Sequence, residues 1–122
     1  MSPLTTETGA AFLVELVVGL PKSDLEGILD AHAGSDADFA IEQYVLAAVV
    51  AEAVDPGAEP RAASAAGALR DPEELTPLAK ACVNRLLNDP YCPLWAGHGD
   101  GGITARRQAR ALRARLHRAC TS

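Results

Sequence analysis

Along nearly the whole chain, apolar residues recur at spacings of three and four, the period of an α-helix that buries one face. A first helix is predicted from about Glu7 to Gly19, with Thr6 as N-cap and Phe12, Leu13, Leu16, Val17 and Leu20 on its buried side. Its apolar stretch, Ala10 to Leu20, reads as a buried helix that Gly19-Leu20-Pro21 ends. Ser23-Asp24-Leu25-Glu26 reads as a capping box opening a second helix, whose stripe is Leu25, Ile28 and Leu29 before Gly34. The third helix, from about Asp36 to Val54, is apolar on most sides, which assigns it the centre of the fold.

Beyond it, Asp55-Pro56-Gly57 breaks the pattern, and Pro60 to Leu69 is either a short helix of small residues or a mobile connector. Asp71-Pro72-Glu73-Glu74 opens a turn with Pro at the first helical position. Thr76-Pro77 repeats the signal, and Leu78, Cys82, Val83, Leu86 and Leu87 then mark an amphipathic helix to Asn88. Residues 89–102 read as loop. A last helix, from about Ile103 to His117, carries Ala105, Ala109, Leu112, Leu116 and Ala119 on one face. All eight prolines fall where helices can begin or end, and no repeat of solenoid length is visible. The expected architecture is therefore a single all-α domain of five or six helices around a central apolar helix, with the first, fifth and last packed on it.

Composition agrees with this class. The 122 residues include 24 Ala and 15 Leu but only five aromatic side chains, Phe12, Phe39, Tyr44, Tyr91 and Trp95, which disfavours a sandwich or barrel. Three cysteines, Cys82, Cys92 and Cys120, with no paired short spacing do not read as a disulfide framework, so reduced thiols and a cytoplasmic location are expected. The most apolar stretch is too short to span a bilayer and lacks a basic flank, so no membrane association is expected. Charge changes the picture more. Residues 1–60 hold eleven acids against Lys22 alone, whereas residues 101–122 hold six Arg and no acid. The simplest use of that split is for the last helix to face the acidic half.

The candidate chemistry lies in the loop. Gly97-His98-Gly99-Asp100-Gly101-Gly102 matches G-x-G-x-x-G literally, but no strand precedes it, so a dinucleotide site is not expected. Backbone N–H groups at a helix start, with Arg106 and Arg107 one turn on, would suit a phosphate or carboxylate, against the plainer reading of a flexible loop. Trp95, His98, Asp100, Arg106 and Arg107 are thus the candidate ligand-binding residues. Cys92, His98 and Asp100 lack the paired spacing of a zinc site, so no metal and no cofactor are expected. A Cys92/His98 nucleophile and base would still need an orienting residue and oxyanion donors. His32 and His117 sit where imidazole meets a helix C-terminus, Cys82 on a core face, and Glu15, Glu26, Glu42 and Glu52 read as solvated surface acids. The Arg-rich helix has no aromatic residue to stack bases and the protein is acidic overall, so nucleic acid is not the expected partner.

The segments together resemble a family. Ser2-Pro3-Leu4-Thr5-Thr6-Glu7-Thr8-Gly9-Ala10-Ala11-Phe12-Leu13-Val14-Glu15-Leu16, the Ala-rich Ala47 to Ala53, Leu75-Thr76-Pro77-Leu78-Ala79, Leu94-Trp95 and Leu112 to Leu116 resemble, in order, segments of a bacterial, mostly actinobacterial, family of small helical domains of unknown function. Its members open with a Trp-Gly segment, then Gly-Pro-Phe and Ala-Ala-x-Phe-Leu-x-Glu-Leu; here Met1-Ser2 stands in place of the Trp-Gly start. The resemblance implies an all-helical bacterial domain and transfers no catalytic residue. With no catalytic set complete, the expected function is a non-enzymatic binding module that meets a protein partner on the acidic half. The alternative is a small-molecule-binding protein or small biosynthetic enzyme with its site in the Tyr91–Asp100 loop.

Overall fold

A computed structural model describes residues 4, 6–57 and 59–121, with the side chain of Thr121 left out; Ser2, Pro3 and Thr5 of the opening motif lie outside this set. Among the described residues the chain forms six α-helices and no strand: α1 Glu7–Val18, α2 Lys22–Asp30, α3 Ala37–Val54, α4 Ala63–Ala68, α5 Pro72–Asn88 and α6 Asp100–Thr121. A 3₁₀ turn, Pro60–Ala62, leads into α4. The segment left open as helix or connector is therefore helical.

Helix α3 is the axis. Nine apolar or aromatic residues along it, from Ala40 through Tyr44 to Ala51, are buried, because α1, α2, α4, α5 and α6 all pack on it. Leu16 of α1, Leu29 of α2, Leu75 and Val83 of α5 and Leu116 of α6 fill the space around Val45, Leu46, Val49 and Val50. The last helix lies on α5 and α3, burying Ala105, Ala109, Leu112 and Leu116. The two leucines alone contribute about 3–6 kcal/mol, more than any of its exposed charges.

Several local expectations are corrected. The Ser23–Glu26 capping box does not form: α2 starts two residues earlier than the box would set it, with Pro21 at the cap position and no side-chain cap. The ring of Pro21 fixes φ at −58°, and its carbonyl accepts from the N–H groups of Asp24 and Leu25, so Ser23 is already inside the first turn. Helix α1 is not buried all round; Val14, Val17 and Val18 are 63%, 48% and 83% exposed, since only one face meets α3 and α4. The two Pro signals at 72 and 77 open a single helix. Pro77 lies in its exposed face, and the Thr76 hydroxyl donates to the Pro72 carbonyl. Helix α6 begins at Asp100 and runs to Thr121, longer at both ends than predicted.

The C-terminal end of α2 is closed from outside itself. Gln43 of α3 donates to the carbonyls of Ile28 and Ala31 at 2.9 and 2.6 Å, and Arg85 of α5 donates to those of Leu29 and Ala31. These carbonyls have no partner within the helix, so two distant side chains satisfy them and tie three helices together. His32, expected in that role, accepts instead from the N–H of Gly34.

Candidate functional site

Residues 89–102 are a chain of hydrogen-bonded turns. Cys92 N–H donates to Asp89 O, Trp95 and Ala96 N–H to Cys92 O, and His98 N–H to Trp95 O. Gly101 N–H then donates to His98 O, and Gly102 and Ile103 N–H to Gly99 O, which delivers the chain into α6. Gly97 and Gly99 supply the positive φ values, 79° and 56°, that the turns require. Trp95 is buried, its indole N–H donating to the Asp89 carbonyl at 3.1 Å, with the Arg106 guanidinium 5.6 Å from its ring centroid in a cation–π contact. Gly102 packs against the carbonyl of Trp95 so closely that no Cβ fits there.

This packing reassigns the candidate residues. The N–H groups expected to cradle an anion already donate within the turns, and Arg106 reaches Leu87 O at 3.3 Å besides covering Trp95. Arg107 is exposed and one position round the helix from Arg106, Asp100 is exposed in the first turn of α6, and Tyr91 is exposed. The structure brings Trp95 and Arg106 together but gathers neither Arg107 nor Asp100 with them. Among the described residues no group of three His, Cys, Asp or Glu is placed to hold a metal. Cys92 is buried, and burial, foremost, raises its thiol pKa; burial pushes Cys82 up to about 11. Both thiols are held away from the thiolate form that a nucleophile needs. The Nε2 of His98 lies 2.9 Å from the Pro93 carbonyl, an intraloop contact.

On one side the turns wall an apolar recess of about 270 Å³, lined by Pro93, Leu94 and His98 from the turns, Gly101 and Ala105 from α6, Ala37 and Ile41 from α3, and Thr6. Thr6 caps α1 by accepting from Gly9 N–H, and Asp36 caps α3 by accepting from Phe39 N–H. Three helices therefore start at this recess. Of the five candidate ligand-binding residues, only His98 lines it. Ile41, Leu94 and Ala105 were legible as apolar positions, but nothing in the sequence shows that residues so far apart share one wall.

Next to the recess lies the acidic face of α1 and α3. The Thr8 hydroxyl donates to Asp38 Oδ1 at 3.0 Å, and a second, shallower groove beyond this bond is lined by Glu7, Ala11, Phe12, Glu15 and Glu42. Partial burial raises the pKa of Glu42, and the neighbouring carboxylates of Glu15, Asp36 and Asp38 raise it further. Among the described residues none of these four acids makes a salt bridge; Lys22 pairs with Asp71 and Glu74, and Arg115 with Glu52 and Asp55. Glu52 departs from the expected solvated surface acid. It is 4% exposed, and its carboxylate accepts from the N–H groups of Gly57 and Glu59 at 2.7 and 2.9 Å and from Arg115 at 3.4 Å.

No protein family, curated protein or solved structure matches this chain. No helix among the described residues is long and apolar enough to cross a membrane.

Proposed function

We propose that this protein works as a binding module, and that its partner is a cationic protein surface that meets the acidic face of α1 and the N-terminal half of α3. One observation carries the reading. Glu7, Glu15 and Glu42 line one groove between α1 and α3, burial and then the carboxylates of Glu15, Asp36 and Asp38 raise the pKa of Glu42, and among the described residues the salt bridges of Lys22 and Arg115 are made elsewhere. Mutual repulsion among carboxylates opposes folding slightly and favours any cation that approaches, so this face attracts and orients a basic partner. The exposed Val14 and Val18, on the side of α1 that carries Glu7 and Ala11, give such a partner apolar area beside the charge.

The test uses tagged protein in its native lysate. A stoichiometric protein partner should be retained at low salt, released at high salt, and lost from the double variant Glu15→Gln/Glu42→Gln while Glu26→Gln still holds it. Equal capture by the double variant refutes the reading. The small-molecule alternative at the Tyr91–Asp100 loop keeps His98 at the recess but places Trp95 in the core. It predicts that a small molecule co-purifies and that His98→Ala loses it.

A further inference from the structure

Recess and acidic groove draw on consecutive residues, Thr6 of the recess preceding Glu7 and Thr8 of the groove and Ile41 preceding Glu42, and we infer that the recess receives one apolar side chain of a basic peptide segment, the anchor of the cationic partner proposed above. The inference rests on that reading and adds the chemistry of the contact.

The walls are preformed. Ala37 and Ile41 stand one turn apart on α3, as do Gly101 and Ala105 on α6, and the turns that present Pro93 and Leu94 are held by their own hydrogen bonds. A ready-made apolar hollow costs little ordering when it is filled. The charge around it selects the occupant. Asp36 and Asp38 flank Ala37 in the chain, Glu42 follows Ile41, Asp100 precedes Gly101 and Glu7 follows Thr6. Against these five carboxylates stand the three helix N-termini, each equivalent to about half a positive charge, so roughly +1.5 in all. The acids outweigh the dipoles and the surroundings stay negative, which disfavours a small anion. Arg106, which follows Ala105, is turned onto Trp95 and Leu87 O, and His98 is held at the Pro93 carbonyl. A hollow of about 270 Å³ suits one side chain, and the flanking carboxylates suit Lys or Arg on either side of it.

Fluorescently labelled peptides Arg-Arg-Leu-Arg-Arg, Arg-Arg-Gly-Arg-Arg and Ser-Ser-Leu-Ser-Ser, read by anisotropy at low salt, test this directly. The basic Leu peptide should bind the wild-type protein about tenfold or more tighter than the basic Gly peptide. It should also bind tighter than the Ser-flanked peptide. Ala37→Phe, at an exposed position on the recess wall, should fill the hollow and abolish the Leu-over-Gly preference, with an unchanged melting temperature showing that the fold is kept. Glu42→Gln should weaken both basic peptides alike. Equal binding of Leu and Gly peptides, a Leu preference that survives Ala37→Phe, or the absence of any peptide binding overturns the inference. So does tight binding of the Ser-flanked peptide, which would make the recess a site for a free apolar molecule. The acidic-face reading fails separately, when lysate capture is indifferent to Glu15→Gln/Glu42→Gln.

Discussion

Two adjacent glycines at the start of α6 should respond to the same substitution with opposite signs. Helix propensity alone favours Ala over Gly by up to about 1 kcal/mol, so each change would be stabilising if the helix stood alone. At Gly101 an added Cβ meets nothing nearer than the His98 Cβ at 4.0 Å, an ordinary contact, and Gly101→Ala should stabilise by about 0.5–1 kcal/mol. At Gly102 the same atom lands on the backbone of Trp95. It overlaps the carbonyl oxygen and lies 3.1 and 3.2 Å from the carbonyl carbon and the Cα. A carbonyl cannot rotate aside as a side chain can. Relief therefore requires moving the turn that seats the indole, and the cost is about 1–3 kcal/mol or more, enough to reverse the propensity gain. Urea denaturation followed by far-ultraviolet circular dichroism gives the stabilities, and the fluorescence of the single Trp reports its seat. Gly102→Ala should be less stable than wild type with red-shifted emission, and Gly101→Ala more stable with emission unchanged. A Gly102→Ala protein as stable as wild type, with unshifted emission, would refute the claim that this close approach holds the turns.

Further outcomes follow from the charges and thiols. Glu52→Ala should destabilise by about 2–4 kcal/mol, because it leaves two backbone N–H groups without their acceptor and removes one of the two carboxylates paired with Arg115, Asp55 keeping the other contact. A double-mutant cycle with Arg115→Ala should show coupling of about 1 kcal/mol or more, and additivity would mean that the pair does not act as a unit. For Glu42, the raised pKa means that the folded state binds protons more tightly than the unfolded chain. Its contribution is therefore most favourable at low pH and falls as pH rises through the folded-state value. Glu42→Gln should accordingly stabilise the protein at neutral pH, with the gain disappearing below the ordinary carboxyl value of 4.5, as denaturation at two pH values would show. Under native conditions a disulfide reagent should modify the exposed Cys120 rapidly and the buried Cys82 and Cys92 only after unfolding; rapid modification of all three would contradict the packing. Truncation after Gly102 should destabilise the fold strongly by uncovering the faces of α3 and α5 that Leu112 and Leu116 close, and an unchanged melting temperature would contradict that.

By itself the sequence determined the helical class, the central place of α3 and most element boundaries. These depend on interactions within four residues: the spacing of apolar side chains, prolines that cannot continue a helix, and Asp36 and Thr6 as caps. Where two local signals competed, geometry chose, as when the fixed φ of Pro21 started α2 ahead of the Ser23 capping box. Tertiary structure alone decided which apolar face found a partner. Helix α1 offers more apolar surface than α3 and α4 cover, so Val14, Val17 and Val18 remain exposed although their pattern matches that of a buried helix. It also decided which polar groups lost water. Glu52 looks like any surface acid in the chain, and becomes buried only because α6 brings Arg115 to it and the turn after α3 folds back onto its carboxylate. The recess has the same origin, for Ala37, Ile41, Leu94 and Ala105 come together through the packing of α3, α6 and the turns between them, and no interaction within a few residues along the chain encodes that meeting.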